Sequence, residues 1–566
     1  MSQKRVKQIK NQLRTEPKPV ESEPVMPIIE IIKANWRYLL FITFGTTLLY
    51  LNSLGGDFVS DDYATILNNP QIKDLMFGFR GLNPVNIVNY LIALIFGVSP
   101  LPYHLLSLSL YLIFGIVAFV LAYLLFGQKV ARMSILLFMV HPIHVEAVSW
   151  ISGKPYLFIA IFTSLSFIYF IYFLEKNQQR FLWWSVVFFT LGFMSDRPRP
   201  FSLFLFVGLY LLFRGRREYW QRTIKLIPYA AIISVIFFII AWPYIKLRIG
   251  SVNSGYNTSE SLFYNPFFQY PTGLSKYLQL MAFPVDLTLY HTMFIFPAWL
   301  NWLILGTYLG IGGYYFRYDK RYFFALAFIF AAILPSMLPV KVSWLVAERY
   351  AFLASLGFCL FLGLWLEDLG KRYKGVVVIL LSIGIIWAGR TMWRNIDWQT
   401  NHKLWVNTVW VSPNSHNAWN NIGDDYDKLK QYENAVKGFT QSTVVKPNYA
   451  DAYHNRANIF FKMGRLDLAR ESYEIALSYS PELFQTYLSL VQIDMMERKM
   501  DLAWNHAQKA IGLEPNNIQG HYVAAVVLAN SGKSEEARKI CESIVRAAPQ
   551  FQPAVELLKA LKQQSL

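Results

Sequence analysis

The sequence predicts an all-α protein in two parts, a polytopic helical membrane domain followed by an α-solenoid. Three observations carry that prediction. Of the 566 residues, 54% are hydrophobic and 16% are charged, well below the roughly one quarter of charged residues expected of a soluble enzyme. Apolar runs long enough to cross a bilayer recur from about residue 37 to 389 and then stop. Beyond them the chain turns polar, and prolines fall at Pro413, Pro447, Pro481, Pro515 and Pro549, every 34 residues.

The membrane part is read from run length and loop charge. Spans are expected at 35–53, 102–126, 131–147, 155–174, 181–195, 199–213, 226–246, 295–316, 322–340, 348–366 and 374–390, about 11 in all. The net charge of +17 is concentrated in the N-terminus, 1-MSQKRVKQIKNQLR-14, and in short loops such as 128-QKVAR-132, 214-RGRREYWQR-222 and 317-RYDKR-321. That is the positive-inside pattern of cytoplasmic loops, which argues against a nucleic-acid partner. Placing these loops inside requires that 85-VNIVNYLIALIFGV-98, bordered by Pro84 and Pro100, lies along the membrane or re-enters it. The expected organisation is a cytoplasmic N-terminus at 1–34, expected to be retained as a signal anchor, and a membrane domain at 35–393. A long first external loop at 54–101, a linker at 394–413 and a repeat domain at 414–566 complete it. Cys359 and Cys541 imply no disulfide framework.

The 34-residue period is that of tetratricopeptide repeats. The first repeat has Trp419, Gly423, Tyr426, Ala435 and Phe439 in place, and the second has Tyr453, Ala457, Phe460, Ala469 and Tyr473. Four repeats and a final helix give a concave face of the kind that holds peptides or partner domains.

Ionisable groups near a bilayer are costly and are therefore functional candidates. The first external loop carries Asp57, Asp61 and Asp62, with His104 near its end. The segment 141-HPIHVEAVSWISGK-154 adds His141, His144, Glu146 and Lys154, and 195-SDRPRP-200 adds Arg197 and Arg199. Glu348 and Arg349 precede the tenth span. Adjacent carboxylates suit general-base work, while an Asp-rich turn is the plain alternative. His141, His144 and Glu146 are compatible with a metal, although Pro142 works against the geometry, and with hydrogen bonding to substrate. The basic groups suit a lipid phosphate or anionic headgroups.

FVSDDYATILNNP, HPIHVEAVSWISGK, LPSMLPVKVSWLVAERYAFLASLGF and RNIDWQTNHKLWVNTVWVSPNSHNAWNNIG occur in an order that resembles the transmembrane and tetratricopeptide-repeat O-mannosyltransferases and their prokaryotic relatives. The resemblance implies a GT-C fold, a polyprenyl-phosphate-linked sugar donor and inverting transfer to a hydroxyl, such as protein Ser or Thr, at the external face. It implies Asp61 as base, with Asp62 orienting it or the acceptor, and places His104 and Glu146 at family positions. The chain departs from that pattern at Asn83, where relatives tend to have Arg, at Tyr156, where they have an acid, and at Asp196-Arg197.

The expected function is that of an integral-membrane glycosyltransferase, with Asp61, Asp62 and Glu146 catalytic. His104, His141, His144, Lys154, Arg197, Arg199, Glu348 and Arg349 would bind substrate. No metal ligand is assigned, and a divalent metal stays compatible with the chemistry. The expected partners are the lipid-linked donor, the membrane and a protein or peptide acceptor held by the repeats, in a prokaryotic plasma membrane rather than the endoplasmic reticulum. A non-catalytic membrane-anchored scaffold is the alternative. A transporter is disfavoured because the acidic groups gather at one face and not at the midplane.

Overall fold

The computed structural model describes residues 25–79, 82–196, 199–255, 265–337 and 344–564. Helices and short helical turns are the regular elements among them, with no strand. The chain divides into two compact units between Leu404 and Trp405.

The first unit runs through α1 Ile28–Tyr50, α2 Leu75–Gly78, α3 Pro84–Phe96, α4 Pro100–Phe126, α5 Gln128–Met139, α6 Val145–Ser149, α7 Lys154–Lys176 and α8 Gln179–Ser195. It continues with α9 Ser202–Arg214, α10 Arg217–Ile224, α11 Ile227–Gly255, α12 Pro266–Ala282, α13 Ala298–Tyr318, α14 Lys320–Ile333, α15 Phe352–Gly370 and α16 Val376–Asp397, and α17 Asn401–Val411 runs across the division at Leu404. Each expected span coincides with one of these helices, in whole or in part. Among the described residues, four helices are long and apolar enough to cross a membrane, or up to six if each bent pair is one span.

The 131–147 run is not one straight span. Pro142 lacks an N–H and cannot continue α5, so a short turn, Pro142–His144, follows, and Gln128–Met139 meets Pro142–Ser149 at 58°. The expected linker 394–413 is largely helical. Residues 394–397 complete α16, and Asn401–Val411 forms α17. The short helix α3 matches the expected membrane-parallel segment in length: its 13 residues reach about 20 Å, short of a bilayer core of about 30 Å. Asn83 caps it by accepting from Val85 N–H at 2.9 Å, with Pro84 in the first turn. The departure at Asn83 thus starts a helix.

An aromatic core joins α4, α5 and α15. Phe114, Phe138 and Phe352 lie 5.3–5.8 Å apart. Phe206 of α9 stacks on Phe328 of α14 at 4.2 Å. Phe41, Phe44, Ile236, Ile239, Ile385 and Ile386 are exposed on α1, α11 and α16, as expected of surfaces that meet lipid.

The second unit is a run of antiparallel helix pairs, α18 His416–Lys428 with α19 Tyr432–Val445, then α20 Ala450–Lys462 with α21 Leu466–Tyr479. The pairs α22 Phe484–Met496 with α23 Met500–Leu513 and α24 Ile518–Asn530 with α25 Ser534–Ala547 follow, closed by α26 Gln552–Gln564. The small residues of the repeat pattern set the close helix approach. A Cβ on Gly438 would lie 2.9 Å from the Gly423 backbone. Ala435, Ala457, Ala469, Ala503 and Ala537 are fully buried. Proline carbonyls 102 residues apart in sequence are tied alike. Trp419 Nε1–H donates to Pro413 O at 2.7 Å, and His521 Nε2 meets Pro515 O at 2.8 Å.

Candidate active site

The first loop is held in place by the end of the last membrane helix. Asn52 Nδ2–H donates to Met392 O at 2.8 Å, and Asn395 Nδ2–H donates to Asn52 Oδ1 at 2.8 Å and to Leu49 O at 3.1 Å. Asp57 N–H donates to Gln399 O at 2.8 Å, and Ser60 N–H to Asn401 Oδ1 at 3.0 Å. Ser60 has a φ of 52°, in the left-handed region that non-glycine residues rarely adopt, which turns the chain sharply into Asp61 and Asp62.

The two aspartates then part. Asp62 is fully buried. Its Oδ2 accepts from Val59 N–H at 3.0 Å, and its Oδ1 accepts from Ser152 N–H at 2.8 Å and from the Ser152 hydroxyl. Burial pushes its carboxyl up to about 6, against the pull of those donors and of Lys154. Asp61 is exposed, and its carboxylate takes no hydrogen bond from the described residues. Desolvation by its surroundings raises it above the ordinary carboxylate value, while Arg349 pulls it back. Asp57 is exposed and contributes its backbone.

Gly153 lets the Ser152–Lys154 turn close, since a Cβ there would meet Ala147 O at 2.7 Å and Glu146 O at 2.9 Å. The turn delivers Lys154 into the interior, where its ammonium lies 4.9 Å from the Tyr103 ring centre and has no hydrogen-bond partner among the described residues. His104 Nε2–H donates to Gly56 O at 3.2 Å, leaving its buried Nδ1 unpartnered.

Glu146 is fully buried and holds Arg349 twice, through the backbone N–H at 2.7 Å and through an ion pair to Nη1. Arg349 Nε–H also donates to the Tyr156 hydroxyl at 3.2 Å. Arg199, paired with Asp196 and donating to Ser336 Oγ at 3.2 Å, lies over the same two tyrosine rings as Arg349, Tyr156 and Tyr350. Tyr156 thus sits beside two guanidinium groups. Glu348 turns to another set of partners, accepting from Thr288 N–H at 2.5 Å and Arg394 Nη2 at 3.2 Å.

His141 and His144 are both bonded within the protein. His141 Nδ1 caps the turn by accepting from Ile143 N–H at 3.1 Å, and its Nε2–H donates to Met281 O at 2.9 Å. His144 bonds Tyr111 OH at 2.8 Å and Ser355 Oγ at 2.7 Å. Both rings are completely buried and both nitrogens of each are used within the protein, so these histidines position the bend after α5. Among the described residues, no group of three or more His, Cys, Asp and Glu side chains is arranged to hold a metal ion. Arg197 lies outside the described residues. Sequence reasoning missed Ser152 and Arg394. The hydroxyl beside Gly153 was a weak signal for the first, and an arginine in the last apolar helix was one for the second.

Residues 85–245 match the family model described as dolichyl-phosphate-mannose-protein mannosyltransferase, and residues 416–449 and 450–483 match tetratricopeptide repeats. Protein O-mannosyl-transferase TMTC3 of Homo sapiens is 24% identical over 477 residues, covering 73% of this chain. The chain is a homologue of the protein O-mannosyl-transferases. It spans about half the length of such curated relatives, 52% of the human protein. Protein O-mannosyl-transferase F38B6.6 of Caenorhabditis elegans is 23% identical, covering 71% of this chain and 62% of the relative. Tmtc2 of Drosophila melanogaster is 32% identical over 118 residues, covering 20% of this chain and 12% of the relative. The homology to O-mannosyl-transferases and the helical membrane unit agree in kind with the family read from the motifs.

Proposed function

We propose that the chain is a GT-C glycosyltransferase that moves a sugar from a polyprenyl-phosphate donor to an acceptor hydroxyl, of protein Ser or Thr, at the external membrane face. The observation that carries this reading is the division of labour between neighbours. Asp62 is locked by three donors, while Asp61 next to it keeps an exposed, unbonded carboxylate of raised basicity beside Arg349. In this reading Asp61 takes the acceptor proton as the hydroxyl oxygen attacks the anomeric carbon. The bond from that carbon to the phosphate oxygen breaks with inversion, and the electron pair leaves on the lipid phosphate. Arg349 and the unpartnered Lys154 ammonium stabilise that anion, and Arg199 holds the tyrosine rings beneath Arg349. Glu146 positions Arg349. The repeats recruit the acceptor chain outside a prokaryotic plasma membrane, with the basic N-terminus inside. No metal is assigned a step.

The test is transfer by the full chain in lipid nanodiscs, using a panel of polyprenyl-phosphate sugars and hydroxylated peptides. Transfer is expected from wild type and at least a hundredfold less from Asp61→Asn. Undiminished transfer by Asp61→Asn removes Asp61 as base. No transfer by wild type across the panel leaves the scaffold reading.

A further inference from the structure

The turn Glu348–Ala351 sends its first two side chains into different surroundings. Arg349 joins Glu146 and the tyrosines, whereas Glu348 enters a second buried polar group formed by the 283–297 segment and α16. One of its oxygens is satisfied by Thr288 N–H and Arg394, with His291 Nε2 beside it at 3.5 Å. The other, Oε2, has no hydrogen-bond partner among the described residues. Three more buried polar atoms, on residues that contact Glu348 or the 283–297 segment, share that condition: Thr288 Oγ1, His291 Nε2 and Arg390 Nη1. Arg390 is fastened through its other amino group to Val285 O at 2.9 Å, so Nη1 is held in place without being used.

Buried polar groups are nearly always satisfied, and unsatisfied ones concentrated in one place call for a polar occupant. The chemistry of the set says which kind. An anion such as phosphate calls for donors alone, and the free oxygen of Glu348 would repel it. A hydroxyl both donates and accepts, and this set offers an acceptor in Glu348, a donor in Arg390, and groups of either kind in Thr288 and His291. Burial, helped by Lys276, holds the His291 imidazole down at about 3, so it stays neutral and able to accept from or donate to a hydroxyl. Glu348 and Arg349 are successive residues of one short turn, so the two groups are neighbours.

We propose that Glu348, Thr288, His291 and Arg390 form the subsite that recognises the hydroxyls of the donor's sugar ring, next to the Arg349 side of the turn that meets the donor's phosphate. This rests on the glycosyl-transfer reading above and adds how one sugar is told from another. A site built to hydrogen-bond a hydroxyl rejects an analogue that lacks it or aims it elsewhere, because its own buried groups are then left unpaired.

The experiment measures binding of two lipids to the full chain in nanodiscs, a polyprenyl-phosphate sugar and the same polyprenyl phosphate without sugar. Thr288→Val and His291→Leu are expected to weaken the sugar-bearing lipid at least tenfold and leave the sugarless one unchanged, with Thr288→Ser restoring most of the loss. Across donors differing in one hydroxyl, Thr288→Val is expected to change the order of preference. Equal weakening of both lipids, or no change in either, overturns the subsite and leaves ordered water as the occupant. If wild type binds neither lipid, the glycosyl-transfer reading falls first and takes the subsite with it.

Discussion

Ser152 gives Asp62 both its backbone N–H, at 2.8 Å, and its hydroxyl, joining residues 90 positions apart at a single carboxylate oxygen. This double contact fixes the loop that presents Asp61. Removing the hydroxyl in Ser152→Ala is expected to cost about 1.5–3 kcal/mol, the range for a hydrogen bond to a charged group, read as a lower melting temperature in detergent.

Asp62 also sets a pH dependence of stability. Its carboxyl is raised from 3.8 to about 6 on folding. Between those values the folded chain holds a proton that the unfolded chain has released, so stability from this group falls as pH rises from about 4 to about 6. Melting across that window should show the decline in wild type and a flatter profile in Asp62→Asn.

Transfer activity should rise with pH as Asp61 loses its proton, since a base must be unprotonated. Arg349 holds that transition down, so in Arg349→Met the acidic limb of the residual rate should move to higher pH. An unmoved limb would separate Asp61 from Arg349.

Glu146 and Arg349 are a buried pair, and breaking one side leaves a bare charge. Glu146→Leu alone should lose about 3–5 kcal/mol of stability, while Glu146→Leu with Arg349→Met should recover much of it without recovering transfer. Unfolding and activity measured on the same samples distinguish the two effects.

Gly153→Ala would drive a methyl against the Ala147 and Glu146 carbonyls. The turn must open to accept it, at a cost of about 1–3 kcal/mol. Hydrogen exchange should quicken from Glu146 to Lys154 while the repeats stay unchanged.

Much of this was legible in the chain. The repeats announce themselves because each pair of helices must place small residues and a proline at fixed steps, as Gly423, Ala435 and Pro447 do. The membrane helices follow from apolar length, but the break at Pro142 within 131–147 was read through, because hydropathy does not register a missing N–H. Asp61 and Asp62 were found together, yet their separation into a free and a buried carboxylate depends on Ser152, which no local pattern supplies. His141 and His144 stand as substrate-binding candidates in the sequence because composition does not reveal that backbone groups and hydroxyls occupy both nitrogens of each ring. Arg394 escaped notice because its partner Glu348 stands 46 residues before it.

The ties from Asn52, Asp57 and Ser60 to residues 392–401 bear on the order in which the protein is made. Those contacts join positions 340 to 347 apart, as between Asn52 and Met392 or Gln399. A ribosome completes the carboxylate loop early and the helix that anchors it some three hundred residues later. Throughout that interval the nascent chain owns Asp61 and Asp62 without the contacts that tie down the start of their loop, so the loop's final anchorage arrives with the last apolar helix.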